Sequence, residues 1–103
     1  MTVISSDGRF EWDLEKDTIN IKKHGLSFEK TKFVFDDTYF LEMFDESHSQ
    51  ENEDRFVGIG CIDGLIVISV FFVERERIRL ISSRKATLKE EVLYNEWRQH
   101  LNT

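Results

Sequence analysis

Apolar and polar positions change their period several times along this chain, and each change marks an element. Leu65 to Val73 is apolar apart from Ser69 and follows an Asp63-Gly64 turn signal. A short run rich in β-branched and aromatic residues predicts a buried strand. Arg77 to Ser83 then sets arginines against Ile78, Leu80 and Ile81, so a second strand carries Arg77 and Arg79 along one side of itself. Upstream, Tyr39 to Phe44 reads as an edge strand, and Arg55 to Ile62 as a strand joined to the apolar run by a tight Asp63-Gly64 hairpin. Gly58 and Gly60 inside it signal a bulge or the close approach of another element.

The helices announce themselves through their ends. Asp13 caps a helix running to about His24, with Lys22, Lys23 and His24 in its last turn and Gly25 suited to a left-handed C′ position. Ser27 caps a second, in which Phe28, Thr31, Val34 and Phe35 recur at helical spacing until Asp36-Asp37. Thr87 and Glu90 form a capping box before a helix from about Leu88 to Leu101, whose stripe of Leu93, Trp97 and Leu101 is expected to face the sheet. Residues 1–8 read as a flexible end, and Phe10 and Trp12 as aromatics anchored by a short extended segment. The order describes an α+β domain spanning 1–103, with two short N-terminal helices, a four-stranded antiparallel sheet and a C-terminal helix.

Composition adds limits. A chain of 103 residues supports one core, and nine Phe, two Trp and two Tyr supply much of it. The single Cys61 excludes an internal disulfide and a Cys-rich metal framework. With no N-terminal apolar run and no stretch near the roughly 20 residues of a membrane helix, a cytoplasmic protein is expected. The net charge of -6 argues against a generally basic nucleic-acid surface, but the charge is sorted. Asp36 to Asp54 holds eight acids and no Lys or Arg, whereas Arg75 to Lys85 holds five basic residues against Glu76 alone. Such sorting allows a local anion site and offers the acidic half to a basic partner; two solvated faces are the plainer reading.

The sequence has no nucleotide-binding glycine loop, H-E-x-x-H, G-x-S-x-G or paired-cysteine zinc signature, so neither metal nor cofactor is expected. What remains is basic and polar: Lys23 and His24 at a helix end, Arg55 at a strand start, and Arg77, Arg79, Arg84 and Lys85 on the last hairpin. Each has a structural reading beside the functional one. Cations at a helix C-terminus suit the macrodipole, and strand arginines pair with carboxylates as readily as with phosphate. His48 reads as loop, His100 as exposed, Cys61 as a small buried group, and Tyr94 as core or as a hydroxyl directed to a site. If the basic groups converge, they suit metal-independent RNA cleavage, in which a 2′-hydroxyl loses a proton and attacks phosphorus while arginine stabilises the added charge.

Several of these pieces form a family pattern. F-E-W-D, K-H-G-L-S-F, V-F-D-D, D-R-F-V-G-I-G and R-I-R-L-I-S-S-R-K-A, with E-x-x-x-Y close behind, resemble the BrnT toxins of bacterial type II toxin-antitoxin systems over about Phe10 to Tyr94. Ser83 stands where that family often has Ala, and Thr31 where a small Ala is common. The resemblance implies a RelE-like fold and a ribonuclease that inhibits translation. It also implies a BrnA-type ribbon-helix-helix antitoxin that neutralises the toxin in a hetero-oligomer and alone carries the contact with operator DNA. By motif position it nominates Arg79 and Arg84 for phosphate, Lys23 and His24 for proton transfer, Tyr94 as an accessory catalytic group, and Arg55, Arg77 and Lys85 for substrate binding. The competing expectations are a non-catalytic binding module or corepressor on the same fold, and a domain whose arginines only make ion pairs.

Overall fold

Four of the strands form as a sequential antiparallel meander: β3 (Leu41–Phe44), β4 (Arg55–Ile62), β5 (Ile66–Glu74) and β6 (Ile78–Lys85). The computed structural model, which describes residues 1–103, adds two strands at the other edge of β6. These are β1 (Thr2–Ile4) and β2 (Phe10–Asp13), giving a six-stranded sheet in the order β1-β2-β6-β5-β4-β3. β2 lies parallel to β6, with Phe10 opposite Ile78 and Trp12 opposite Leu80, so the sheet is mixed rather than wholly antiparallel. The expected flexible end is likewise corrected: Thr2, Val3 and Ile4 pair with Asp13, Trp12 and Glu11. The mixed sheet has a non-local cause. Pairing of β2 with a strand more than sixty residues away is a long-range contact that no local pattern records.

Helix α1 (Leu14–His24), the short α2 (Phe28–Thr31) and a 3₁₀ turn (Lys32–Asp36) cover one face of the sheet. Their boundaries follow the caps: Asp13 and Ser27 accept from the amides of Lys16 and Lys30, and Gly25 adopts φ 70°. Beneath them lie Phe10, Trp12, Phe28, Val34, Ile68, Val70, Phe72 and Leu80, the main core. Gly60 lets the 3₁₀ turn approach, since a Cβ there would sit 2.9 Å from the Val34 carbonyl oxygen. Helix α3 (Leu88–Leu101) lies on the opposite face. It is held by its capping box and by a hydrogen bond from Ser69 to Glu90 at 2.9 Å. The expected stripe is only partly its contact surface: Trp97 is half-buried, Leu93 and Leu101 are exposed, and the fully buried residue is Tyr94. Polar anchors at Glu90 and Tyr94, one turn apart, choose the face that turns inward.

β2 pairs with β6 only as far as Leu80, which leaves the edge of β6 open from Ile81 onward. Asn20 of α1 closes it. Its Oδ1 accepts from the Ser83 amide at 3.0 Å, while Nδ2 donates to the Leu26 carbonyl at 2.9 Å and to Ser83 Oγ at 3.1 Å. Ser83 Oγ in turn lies 2.7 Å from Thr31 Oγ1, which donates to the Ser27 carbonyl at 2.8 Å. All of these side chains are buried. Asn20→Ala should lower unfolding free energy by about 2–4 kcal/mol, because it strands a buried amide and breaks the chain of hydrogen bonds. Urea denaturation measures this, and a loss below about 0.5 kcal/mol would show that the edge of β6 needs no such partner.

Candidate active site

Because Asn20 fixes α1 against β6, the last turn of the helix stands beside the second half of the strand. A groove of about 380 Å³ opens there, walled by Lys16, Ile19, Lys23 and His24 on the helix side and by Phe71, Ser82 and Arg84 on the sheet side. Lys23 and His24 are exposed. Strand β6 carries a bulge: Phe71 faces Ser82 and Phe72 faces Leu80, leaving Ile81 as the extra residue. Leu80 and Ser83 therefore both point toward the helices, and Arg79 and Arg84, five residues apart, share the opposite face. Arg55 joins them, since Arg55 and Arg79 flank Val73 in register.

Carboxylates hold two of these arginines. Arg84 grips Glu90 with both ends of its fork, at 2.6 and 3.1 Å, and lies over the Phe71 ring at 5.3 Å. Burial pushes the Glu90 carboxyl up, but hydrogen bonds from Arg84, the Thr87 amide and Ser69 outweigh it and hold the carboxyl at about 2. The same bond with Glu90 raises Arg84 above its ordinary value. Arg79 meets Glu11 of β2 at 2.5 Å, with both side chains largely covered. Arg55 is different: it makes no ion pair, and its buried Nε has no partner. Arg77 also has a buried, unpartnered Nε, while Lys85 is exposed at the end of β6. Neither lines the groove.

A second depression of about 370 Å³ adjoins the groove and shares Phe71, Ser82 and Arg84 with it. Its other walls are Arg55, Asp45 and His48. Asp45 is nearly buried and meets His48 Nδ1 at 2.9 Å, and the imidazole stands edge-on to Phe71 with ring centroids 6.4 Å apart. The structure thus gathers Lys23, His24, Arg55 and Arg84 around Phe71 and Ser82, with Arg79 on the same sheet face. Tyr94 lies apart from this group. Its hydroxyl donates to Asp37 at 2.6 Å, and burial together with Asp37 raises its pKa well above the usual phenol range. Asp37 also accepts from the Cys61 amide at 2.8 Å, and burial pushes the Cys61 thiol up. The Tyr94 hydroxyl is thus directed to an acceptor outside the groove.

Asp45, His48, Phe71 and Ser82 are the site residues that pattern reading passes over. The only local signal is the D-x-x-H spacing, which lets the two side chains of one turn meet. Chemically the site combines guanidinium groups for an anion, an ammonium group and two imidazoles for proton transfer, and an aromatic face on which a base can stack.

The Glu90 link gives a pH-dependent test. An unfolded Glu titrates near 4.3, so a folded value of about 2 means stability that is complete above that range and is lost as pH falls toward 2. Glu90→Gln should therefore denature more easily than the parent at pH 6, with the gap narrowed to about half at pH 3 and closing only toward pH 2. Urea midpoints at the two pH values read this directly, and an unchanged gap would contradict the ion pair.

Over residues 12–90 the chain matches the family model described as the ribonuclease toxin, BrnT, of type II toxin-antitoxin systems. Among solved structures it is similar to the crystal structure of the Brucella abortus ribonuclease toxin BrnT, at 31% identity and a TM-score of 0.54, covering 74% of this chain and 92% of that one. Among curated proteins none matches. With the K-H-G turn, the arginine strand and the groove between them all inside the matched span, the chain belongs to the BrnT family, the ribonuclease toxins of type II toxin-antitoxin systems.

Proposed function

We propose that this toxin cleaves RNA without a metal, by attack of a 2′-hydroxyl on the adjacent phosphorus, at the groove between α1 and β6. The observation that carries the reading is the convergence of Lys23 and His24 from one end of the chain with Arg84 from the other on a single groove. Arg55 and Arg84 take the phosphate: Arg55 offers an unpaired guanidinium, and Arg84, aimed by Glu90, keeps donors on Nη2 and Nε beyond its bonds to Glu90 and the Lys85 carbonyl. Lys23 and His24 stand where a proton can be moved at the scissile oxygens. Arg79, enclosed with Glu11, adds to the positive charge of this face, and Arg77 and Lys85, outside the groove, bind more distant phosphates of the substrate.

In this reading the fold is RelE-like, cleavage arrests translation in the cytoplasm, and no helix is long and apolar enough to cross a membrane. The partner is a BrnA-type ribbon-helix-helix antitoxin that neutralises the toxin in a hetero-oligomer and makes the contact with operator DNA. The acidic stretch suits a basic partner, although part of its charge is spent internally. Asp36 pairs with Arg9 and Glu53 with Arg75, while Asp37 and Asp45 serve the fold. Glu42, Glu46, Glu51 and Asp54 carry the remainder. Burial, and then Glu74 beside it, raises the Glu42 carboxyl, a strain that a cationic partner relieves.

One competing reading draws on a specific observation: two of the arginines are already bound to carboxylates, as purely structural arginines are. Purified protein and its Arg55→Ala and Arg84→Ala variants, incubated with RNA in EDTA, separate the two. The parent should cleave, and each variant should lose about 10²–10³-fold while remaining folded by circular dichroism. Full activity in both variants would remove the phosphate site, and loss of parental activity in EDTA would remove metal independence.

A further inference from the structure

His48 belongs to the acidic loop between β3 and β4, yet that loop is built to hold it. Asp45 closes β3: its amide donates to the Arg55 carbonyl at 2.8 Å, and its carbonyl accepts from the Ser49 amide at 3.1 Å and from Ser49 Oγ at 2.7 Å. Its carboxylate is 10% exposed and accepts from Ser47 Oγ at 3.0 Å and from His48 Nδ1 at 2.9 Å. A carboxylate only accepts, so Nδ1 carries the ring proton and Nε2 of the neutral ring presents a lone pair. Nε2 has no partner within the chain, and the His48 side chain is 63% exposed. Phe71 limits the ring from a second direction. An exposed imidazole paired in this way adds little stability, so its orientation is not explained by folding.

Position supplies the explanation. In-line displacement at phosphorus requires the group that deprotonates the nucleophile and the group that protonates the leaving oxygen to stand on opposite sides of the phosphate. The two depressions meet at Phe71, Ser82 and Arg84, with Lys23 and His24 bounding one and His48 the other. A phosphate on Arg84 therefore has a proton-transfer group on either side.

We infer that His48, oriented by Asp45, is the catalytic base of this ribonuclease, an assignment that rests on the RNA-cleaving reading above. Nε2 takes the proton of the 2′-hydroxyl as the 2′-oxygen forms its bond to phosphorus. The bond from phosphorus to the 5′-oxygen breaks, with its electron pair on that oxygen, which takes a proton from Lys23 or His24. The products are a 2′,3′-cyclic phosphate and a free 5′-hydroxyl, and His48 returns its proton to solvent. The charged groups facing His48 are Asp45 on its own loop, Arg55 on β4 and Arg84 on β6, with Glu90 behind Arg84. Asp45 is a positioning residue: it sets the tautomer and the direction of Nε2.

The test is the pH profile of kcat/KM, from pH 5 to 8 in EDTA on a short RNA, for the parent, His48→Gln, Asp45→Asn and Arg84→Ala. The parent should show a rising limb as His48 loses its proton. His48→Gln should fall about 10²-fold or more and lose that limb. Asp45→Asn, which keeps an acceptor for Nδ1 without the charge, should cleave more slowly through a lower kcat, with KM little changed. Should His48→Gln remain folded and cleave within about threefold of the parent with the same limb, while Arg84→Ala is inactive, the base lies elsewhere and the ribonuclease reading survives. A parent that cleaves nothing at any pH overturns both.

Discussion

Asn20 is the residue on which the arrangement depends. Strand β6 is paired on both sides only over its first three positions, and beyond Leu80 one side would expose unpaired backbone groups. A sheet edge of that kind must be paired, covered or wetted. A buried carboxamide covers it by reproducing the amide's own hydrogen bonding, accepting from Ser83 and donating to Leu26. The same bonds stop a third strand from continuing there and leave a gap between helix and sheet. The groove is what remains where β2 ends and α1 begins. Asp13 closes the one and caps the other.

Glu90 holds a comparable position on the other face. One carboxylate completes the cap of α3, anchors that helix to β5 through Ser69, and aims the guanidinium of Arg84. Removing such a group disturbs three things at once, and this shared duty explains why Arg84, which lines the groove, is bound to a carboxylate. Held at two of its nitrogens, Arg84 keeps one orientation and loses less freedom when a phosphate arrives. Arg55 has no such restraint and can adjust to a substrate.

Legibility in the sequence followed the range of the interactions. Turn and cap chemistry is local, so Asp13, Gly25, Ser27 and the Thr87–Glu90 box marked the helix ends where they occur. Strand β4 spans the stretch its alternation predicted. The pairing of β2 with β6 is non-local, and the three residues of β1 are too short to show a period. On α3 the apolar stripe was only a partial guide because helix orientation was decided by Glu90 and Tyr94, whose partners lie on distant segments. At the site, the arginines and the K-H-G turn were visible as chemistry, but the bulge at Ile81 that aligns Arg79 with Arg84 was not. His48 was passed over because an isolated histidine among acids carries no period. Only the fold reveals that Asp45 turns inward.

The hydroxyl chain beneath α1 has a direction. The Ser27 carbonyl can only accept, so Thr31 must donate to it, and Ser83 must then donate to Thr31 while accepting from Asn20. Ser83 and Thr31 are in direct contact there. Donors that run one way make the two hydroxyls unequal. Threonine at 31 beside alanine at 83 donates to Ser27 and leaves no new proton stranded, whereas serine at 83 beside alanine at 31 buries a hydroxyl proton with no acceptor. The two hydroxyls are therefore not interchangeable: Ser83 relies on Thr31 as its acceptor, whereas Thr31 does not rely on Ser83.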